Sequence, residues 1–271
     1  MSTYVCSDIH GQYGLYKAML RDINFSEEDH LYILGDMIDR GRDGIKVLQD
    51  VASRPNVTCL LGNHEYMMWN YISRPVFKDL NWLNPSNGGM QTLSEYRKLT
   101  PAERASVKEY LARLFLQIEL TVGGTTFLLS HSSYLWGRGT IKWRDKSISS
   151  KDVSYVVWYS PWRSFEHTEP RNYRTDNRCH IIGHVPVMMI DDRYWQGNSM
   201  PEMPAFYHDP LNRIINIDLG CAMIPIIEAN PDRFEDSFKR VPSLCVLNLE
   251  NFVKGAEPAA AYIRSPELMP S

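Results

Sequence analysis

The sequence lacks any run of about eighteen consecutive apolar residues, so it offers no membrane-spanning helix and no membrane partner is expected. Nor is there a surplus of basic charge, since 29 Lys and Arg stand against 32 Asp and Glu for a net charge of −3. That mild acidity argues against a groove tuned to nucleic acid, and no such partner is expected. Cysteine is sparse and scattered. The five, Cys6, Cys59, Cys179, Cys221 and Cys245, are odd in number and include no C-x-x-C pair, which argues against a disulfide framework or a structural zinc knuckle. Met1 to Val5 carry neither the basic stretch nor the apolar core of a secretory signal. The expectation is a reduced, cytoplasmic protein.

What is present fits a folded enzyme-sized chain. The 271 residues are 44% hydrophobic and 23% charged, enough for a sizeable core. The length suits one domain over residues 1–271, with a cap or insertion at about 75–118. Short apolar runs recur, each ending in a polar cluster. Tyr4-Val5-Cys6 precedes Ser7-Asp8-Ile9-His10-Gly11, Leu31 to Leu34 precedes Gly35-Asp36-Met37-Ile38-Asp39-Arg40-Gly41, and Val57 to Leu61 precedes Gly62-Asn63-His64-Glu65. Later, Thr126 to Ser130 leads into His131, and Ile181-Ile182 into Gly183-His184. Runs this short, closed by glycine or polar residues, read as buried strands.

Helical spacing fills the gaps, with Tyr13, Tyr16, Leu20 and Ile23 in the first and Ile45, Leu48 and Val51 in the second. A third helix starts at Thr100-Pro101-Ala102-Glu103, an N-cap, an N1 proline and an N3 glutamate, with an apolar face predicted to run from Val107 through Tyr110, Leu111, Leu114 and Phe115 to Ile118. Residues 137–180 read as long surface loops with short elements, and the stretch from Gly255 as a surface tail. The pattern is α/β. The first three polar clusters recur at about the length of a β-α-β unit. In such sheets ligands bind beyond the carboxyl ends of strands, so distant clusters converge there.

The clusters supply Asp8, His10, Asp36, Asn63, His131 and His184, besides His64. Oxygen and imidazole donors without thiolate suit Mn, Fe or Zn. Six ligands are too many for one catalytic ion with open positions and suit two ions sharing a carboxylate. Taken singly, each residue has an ordinary reading. Asp8 could cap a helix, Asp36 and Asp39 could bond their own loops, Arg40 could be a solvated surface arginine, and Asn63 a turn. A single His131 or His184 could be a core histidine. Their joint occurrence, in order, at strand ends outweighs those readings. His30, His167, His180 and His208 lack such context and read as structural.

Asp-x-His-Gly, Gly-Asp-x-x-Asp-Arg-Gly, Gly-Asn-His-Glu, a strand-terminal His and Gly-His, in that order, resemble calcineurin-like metallophosphoesterases. Within them they are most similar to the bacterial and phage branch of the phosphoprotein phosphatases. The resemblance runs from Ser7 to at least Gly220. It implies a sandwich of two mixed β-sheets flanked by helices. It implies that Asp8, His10 and Asp36 hold one divalent ion, and that Asp36 bridges to a second completed by Asn63, His131 and His184, with Mn the first choice and Fe or Zn acceptable. A hydroxide between the ions would attack phosphorus in line, His64 would protonate the leaving group, and Asp39 would hold the His64 ring. Arg40 would grip phosphate oxygens, with Arg163 the candidate for a second phosphate arginine, although it reads equally as half of a surface ion pair.

Gly183-His184-Val185-Pro186 lacks the second His of nuclease and phosphodiesterase relatives. Ser7 replaces a usual Gly, Ser132-Ser133 replaces a usual small pair after His131, and Leu60-Leu61 stands where some bacterial members carry a further phosphate-binding Arg. The first substrate class implied is phosphoserine or phosphothreonine in proteins. The second is a dinucleoside polyphosphate or another small phosphorylated metabolite, for which Tyr134, Trp136, Trp158 and Trp162 could stack on bases. A metal-bound scaffold without turnover is the third reading, and alanine at His64 separates it from the others.

Overall fold

The computed structural model describes residues 1–74, 80–161, 176–190, 205–234 and 242–265. Its first half alternates strand and helix: β1 (Thr3–Cys6), α1 (Tyr13–Asp22), β2 (His30–Ile33), α2 (Gly44–Ser53), β3 (Val57–Cys59) and α3 (Asn63–Ser73). Then come α4 (Gly89–Lys98), α5 (Pro101–Arg113), β4 (Phe115–Val122), β5 (Thr125–Ser130), β6 (Ile141–Lys142), α6 (Ser150–Trp158) and β7 (Cys179–Ile182). The described chain ends with β8 (Tyr207–Asp209), β9 (Ile214–Asn216), α7 (Ile224–Ala229), β10 (Ser243–Asn248), α8 (Leu249–Lys254) and β11 (Ala260–Arg264).

These strands form two mixed sheets, ordered β11-β10-β1-β2-β3 and β6-β4-β5-β7-β9-β8. Pleat alternation explains how they stack. In β1, Cys6 joins the apolar layer under the helices, while Val5 joins the layer between the sheets. In β10, Leu244 and Val246 face the helices, while Cys245 and Leu247 face the other sheet with Phe127, Ile181 and Ile215. The fold is therefore the α/β sandwich of mixed sheets that the motif resemblance implies.

Two local expectations are corrected. The third helix stops at Arg113, and Phe115 and Ile118 belong to β4, which pairs antiparallel with β5 from Gln117 to Val122. The overlooked signal is Gly123-Gly124 between the two strands, with both residues at positive φ (53° and 83°). A two-residue glycine turn of that kind closes a tight hairpin, and cross-strand hydrogen bonds outweigh the helical spacing upstream. The stretch from Gly255 is likewise more than a surface tail. Ala260–Arg264 pairs antiparallel with β10 as an edge strand of the first sheet.

The consequence for function is where the strands end. β1, β2 and β3 run parallel, as do β5, β7 and β9. Every polar cluster singled out in the sequence follows one of these strands. The bond from His131 Nδ1 to the Leu34 carbonyl, at 3.0 Å, ties the two sheets together at that edge.

Candidate active site

Asp8, His10, Asp36, Asp39, Asn63, His64 and His131 are all buried, and His184 is partly so. Burying this many polar groups is costly unless they serve one another or a ligand. The backbone is strained at the same places. Asp8, His10, Asp36, Asp39, Arg40 and His184 all sit at positive φ, between 46° and 71°, where non-glycine residues are uncommon. The loops turn sharply enough to aim these side chains inward.

Asp36 lies at the centre. Its Oδ2 is 3.6 Å from His10 Nε2, 3.8 Å from His64 Nε2 and 3.5 Å from His131 Nε2, while Oδ1 accepts the His64 backbone N–H at 3.0 Å. Two donor groups share it, His10–Asp36–His64 and Asp36–His131–His184, each with ligand atoms within 4.8 Å of one another. Asn63 Oδ1 stands 2.9 Å from His131 Nε2. Asp8 Oδ2 accepts the His184 backbone N–H at 3.0 Å and the Ser7 hydroxyl, leaving Oδ1 3.9 Å from His10 Nε2. The predicted ligands are thus brought together. A β-carbon at Gly62 would stand 2.1 Å from Asp36 Oδ1, and one at Gly183 the same distance from Asp8 Oδ2. Both positions exclude a side chain because the carboxylates pass directly over the backbone.

Proton accounting shows what the cluster can hold. His10 Nδ1 lies 3.1 Å from the Ile38 carbonyl, and His131 Nδ1 lies 3.0 Å from that of Leu34. A carbonyl only accepts, so the ring proton of each neutral imidazole sits on Nδ1. Each Nε2 lone pair then faces the lone pairs of Asp36, and that of His131 faces Asn63 as well. Asp8 Oδ1 is buried without a hydrogen-bond partner among the described residues. A second ring proton would relieve one such opposition. Cations between the groups relieve all of them, and backbone carbonyls orienting the far ring nitrogen are what ligand histidines use. Charge points the same way. Burial, followed by the neighbouring His64, pushes the His10 imidazole well toward its neutral form. Burial works against the Asp36 carboxylate, yet positive charge at the positions around it, His131 first, holds it below the ordinary carboxylate range, and cations placed there would supply such charge with the rings neutral. Burial raises Asp8, and the nearby Asp218 raises it further. The donor set therefore fits divalent cations.

His64 is turned differently. Its Nδ1 is 2.7 Å from Asp39 Oδ2. Burial opposes its charge, but Asp36 and Asp39 outweigh that and favour the imidazolium. Arg40 Nε is buried with no hydrogen-bond partner among the described residues. Arg163 and Trp162 lie outside the described residues. Two of the aromatic residues offered for base stacking are spent on packing. Tyr134 is buried with its ring 4.2 Å from that of His180, and Trp158 packs edge-on against Tyr66 at 5.8 Å.

Three contributors carry no assigned role in the sequence reading, although Asp218 and Glu65 stand within stretches that resemble the family. Trp82 is fully buried, and its indole N–H donates to the same Asp39 oxygen that meets His64, also at 2.7 Å. No local motif marks it. Asp218, pushed up to about 7 mainly by burial, sits near enough to Asp8 to raise it and accepts the Gly220 N–H at 2.8 Å. Glu65 ends the Gly-Asn-His-Glu motif. Its carboxylate accepts the backbone N–H groups of Asp36, Met37 and Gly62 at 2.8, 2.8 and 3.0 Å, pinning the β2 loop to the start of α3. Its legible sign was its place at N3, where an acidic residue closes a helix start. Glu65→Ala would strand three buried donors and is expected to cost roughly 3 kcal/mol or more in urea unfolding; a loss within about 1 kcal/mol of zero would show that the clasp does not hold the loop.

The calcineurin-like phosphoesterase family matches the chain over residues 1–188. The chain belongs to that family. It is a metallophosphoesterase and a hydrolase, and calcineurin-like phosphoesterases use divalent metal ions. The bis(5'-nucleosyl)-tetraphosphatase PrpE [asymmetrical] of Bacillus velezensis is 25% identical over 233 residues, covering 82% of this chain and 85% of that protein. A bis(5'-nucleosyl)-tetraphosphatase, symmetrical, of Wigglesworthia glossinidia brevipalpis is 46% identical over 67 residues, about a quarter of each chain. Among solved structures, one named as a candidate diadenosine tetraphosphatase superposes with a TM-score of 0.56 at 15% identity, covering 96% of this chain and 91% of that one, a likeness of fold. No helix among the described residues is long and apolar enough to cross a membrane.

Proposed function

We propose that this phosphoesterase hydrolyses dinucleoside polyphosphates, using two divalent ions with manganese as the first choice. This puts the small-molecule substrate ahead of the phosphoserine or phosphothreonine that the motifs alone favour. The supporting observation is the relative named as an asymmetrical tetraphosphatase, similar along most of both chains. The five cysteines are all free, which suits a reducing cytoplasm.

Asp8, His10 and Asp36 would hold one ion, and Asp36, Asn63, His131 and His184 the other. When bound, the ions supply an activated water and neutralise charge on the phosphoryl oxygens. The chain's own residues do the rest. Arg40 holds non-bridging phosphate oxygens, its guanidinium fork matching their geometry. The His64 imidazolium delivers a proton from Nε2 to the departing oxygen, because Nδ1 is committed to Asp39. Asp39 fixes that orientation and is itself held by the Trp82 indole and by its backbone N–H, which donates to Thr92 Oγ1 at 3.0 Å. Ligation by His64, which its position near His10 and Asp36 would permit, would forfeit the proton donor.

The deciding measurement compares kcat/KM for diadenosine tetraphosphate and for a phosphothreonine peptide on one manganese-loaded preparation. The expected ratio is roughly a hundredfold or more in favour of the dinucleotide, about what a loss of a few kcal/mol of binding contacts produces. A ratio favouring the peptide would restore the protein-phosphatase reading.

A further inference from the structure

A groove beside the ligand cluster is used by this mechanism only at its Arg40 end. We infer that it binds the phosphate chain of the substrate beyond the phosphorus under attack; the inference rests on the polyphosphate reading above. The groove has a volume of about 790 Å³ and runs from the Gly11 turn and the first turn of α1 across to α7 and the end of β11. Its charged lining is four arginines, Arg21, Arg40, Arg42 and Arg264, against the carboxylates of Asp43 and Glu228. Asp43 is engaged by Lys46, and Glu228 accepts the Ser265 hydroxyl at 3.3 Å. Positive charge therefore prevails along the groove.

Arg40 connects the groove to the reacting centre. It lines the groove together with Gly11 and Gly41, the neighbours of His10 and of Arg40 itself, and the Gly41 N–H donates to the His10 carbonyl at 3.0 Å. An anionic chain held at Arg40 by one phosphate can therefore extend its next phosphates into the groove. Arg21 and Arg42 are both exposed and form no ion pair with any described residue. Guanidinium groups gathered without carboxylate partners repel one another, and an oxyanion that accepts two parallel N–H bonds from each relieves this. The first turn of α1 adds N–H donors. It contains no acidic residue, and Gln12 at its N-cap makes no side-chain cap bond. The space lies within the range of pockets that take nucleotide-sized ligands. A phosphomonoester with one phosphate would occupy the Arg40 end and leave the groove empty, so the groove discriminates chain length.

The test uses the full chain and a double variant, Arg21→Ala with Arg42→Ala, which leaves every group of the cluster in place. With p-nitrophenyl phosphate as reporter and free manganese held constant, inorganic tripolyphosphate should inhibit wild type about tenfold more tightly than orthophosphate, and the variant should lose that advantage. KM for diadenosine tetraphosphate should rise about tenfold while p-nitrophenyl phosphate kinetics stay within about twofold. Equal inhibition of both proteins by tripolyphosphate would overturn the groove assignment, as would a wild type that does not prefer it to orthophosphate. Failure of the substrate reading shows separately, as absent turnover of diadenosine tetraphosphate in wild type, while the tripolyphosphate arm still decides the groove.

Discussion

His64→Ala is expected to lower kcat on phenyl phosphate by about 10²–10⁴-fold, the span of a lost general acid, without lowering the number of metal ions bound. The argument is geometric. His64 commits Nδ1 to Asp39 at 2.7 Å and presents Nε2 toward the Asp36 carboxylate at 3.8 Å, so one proton is available on the side where phosphate must sit. The loss should be much smaller for p-nitrophenyl phosphate, whose leaving group departs without a proton. A uniform loss with a missing ion would mean that His64 is a ligand, as its proximity to His10 and Asp36 would allow. Unchanged turnover of both esters would remove His64 as the acid, whereas a wild type that turns over neither ester would leave the scaffold reading. Trp82→Phe gives a graded form of the same experiment. It removes the indole donor to Asp39 while keeping an aromatic body in the core, and about a tenfold loss confined to phenyl phosphate is expected from a loosened dyad. A purely structural Trp82 would instead lower stability and slow both esters equally.

The parts of this site that could be read in the sequence are those where backbone and side-chain demands fall on adjacent residues. Asp8, His10, Asp36 and His184 each need a strand before them, a sharp turn at or beside them and a small neighbour over which a carboxylate can pass. All three demands leave letters within a few positions. Glu65 was visible as the last letter of its motif, but its role needed the three N–H groups it collects from two loops. Trp82 left no trace, because it reaches Asp39 from a separate turn more than forty residues downstream. The misplaced helix end shows the same limit in the fold. Phe115 and Ile118 continue the apolar spacing of α5, and only pairing with a strand after the Gly123-Gly124 turn decides their conformation. Long-range hydrogen bonding overrode local spacing there, as it did for the edge strand at Ala260–Arg264.

Asp36→Asn should have the broadest effect of any single change, because Asp36 alone belongs to both donor groups. The substitution keeps the shape and can keep the acceptor for the His64 backbone N–H at Oδ1. It removes one negative charge and turns the oxygen facing His10 and His131 into an amide donor. That amide can bond the Nε2 lone pairs that would otherwise point at ions, so it favours the metal-free form as well as weakening the metal-bound one. Calorimetric titration with manganese should show both binding events weakened. The rate should fall by more than the 10–100-fold that losing an outer partner of a ligand costs. Asn63→Ala should disturb one event and leave the other, since Asn63 meets His131 on the side of the cluster away from Asp8 and His10. Two ions bound to Asp36→Asn with wild-type affinity would mean that the carboxylate is not shared, and the paired-ion chemistry would lose its basis.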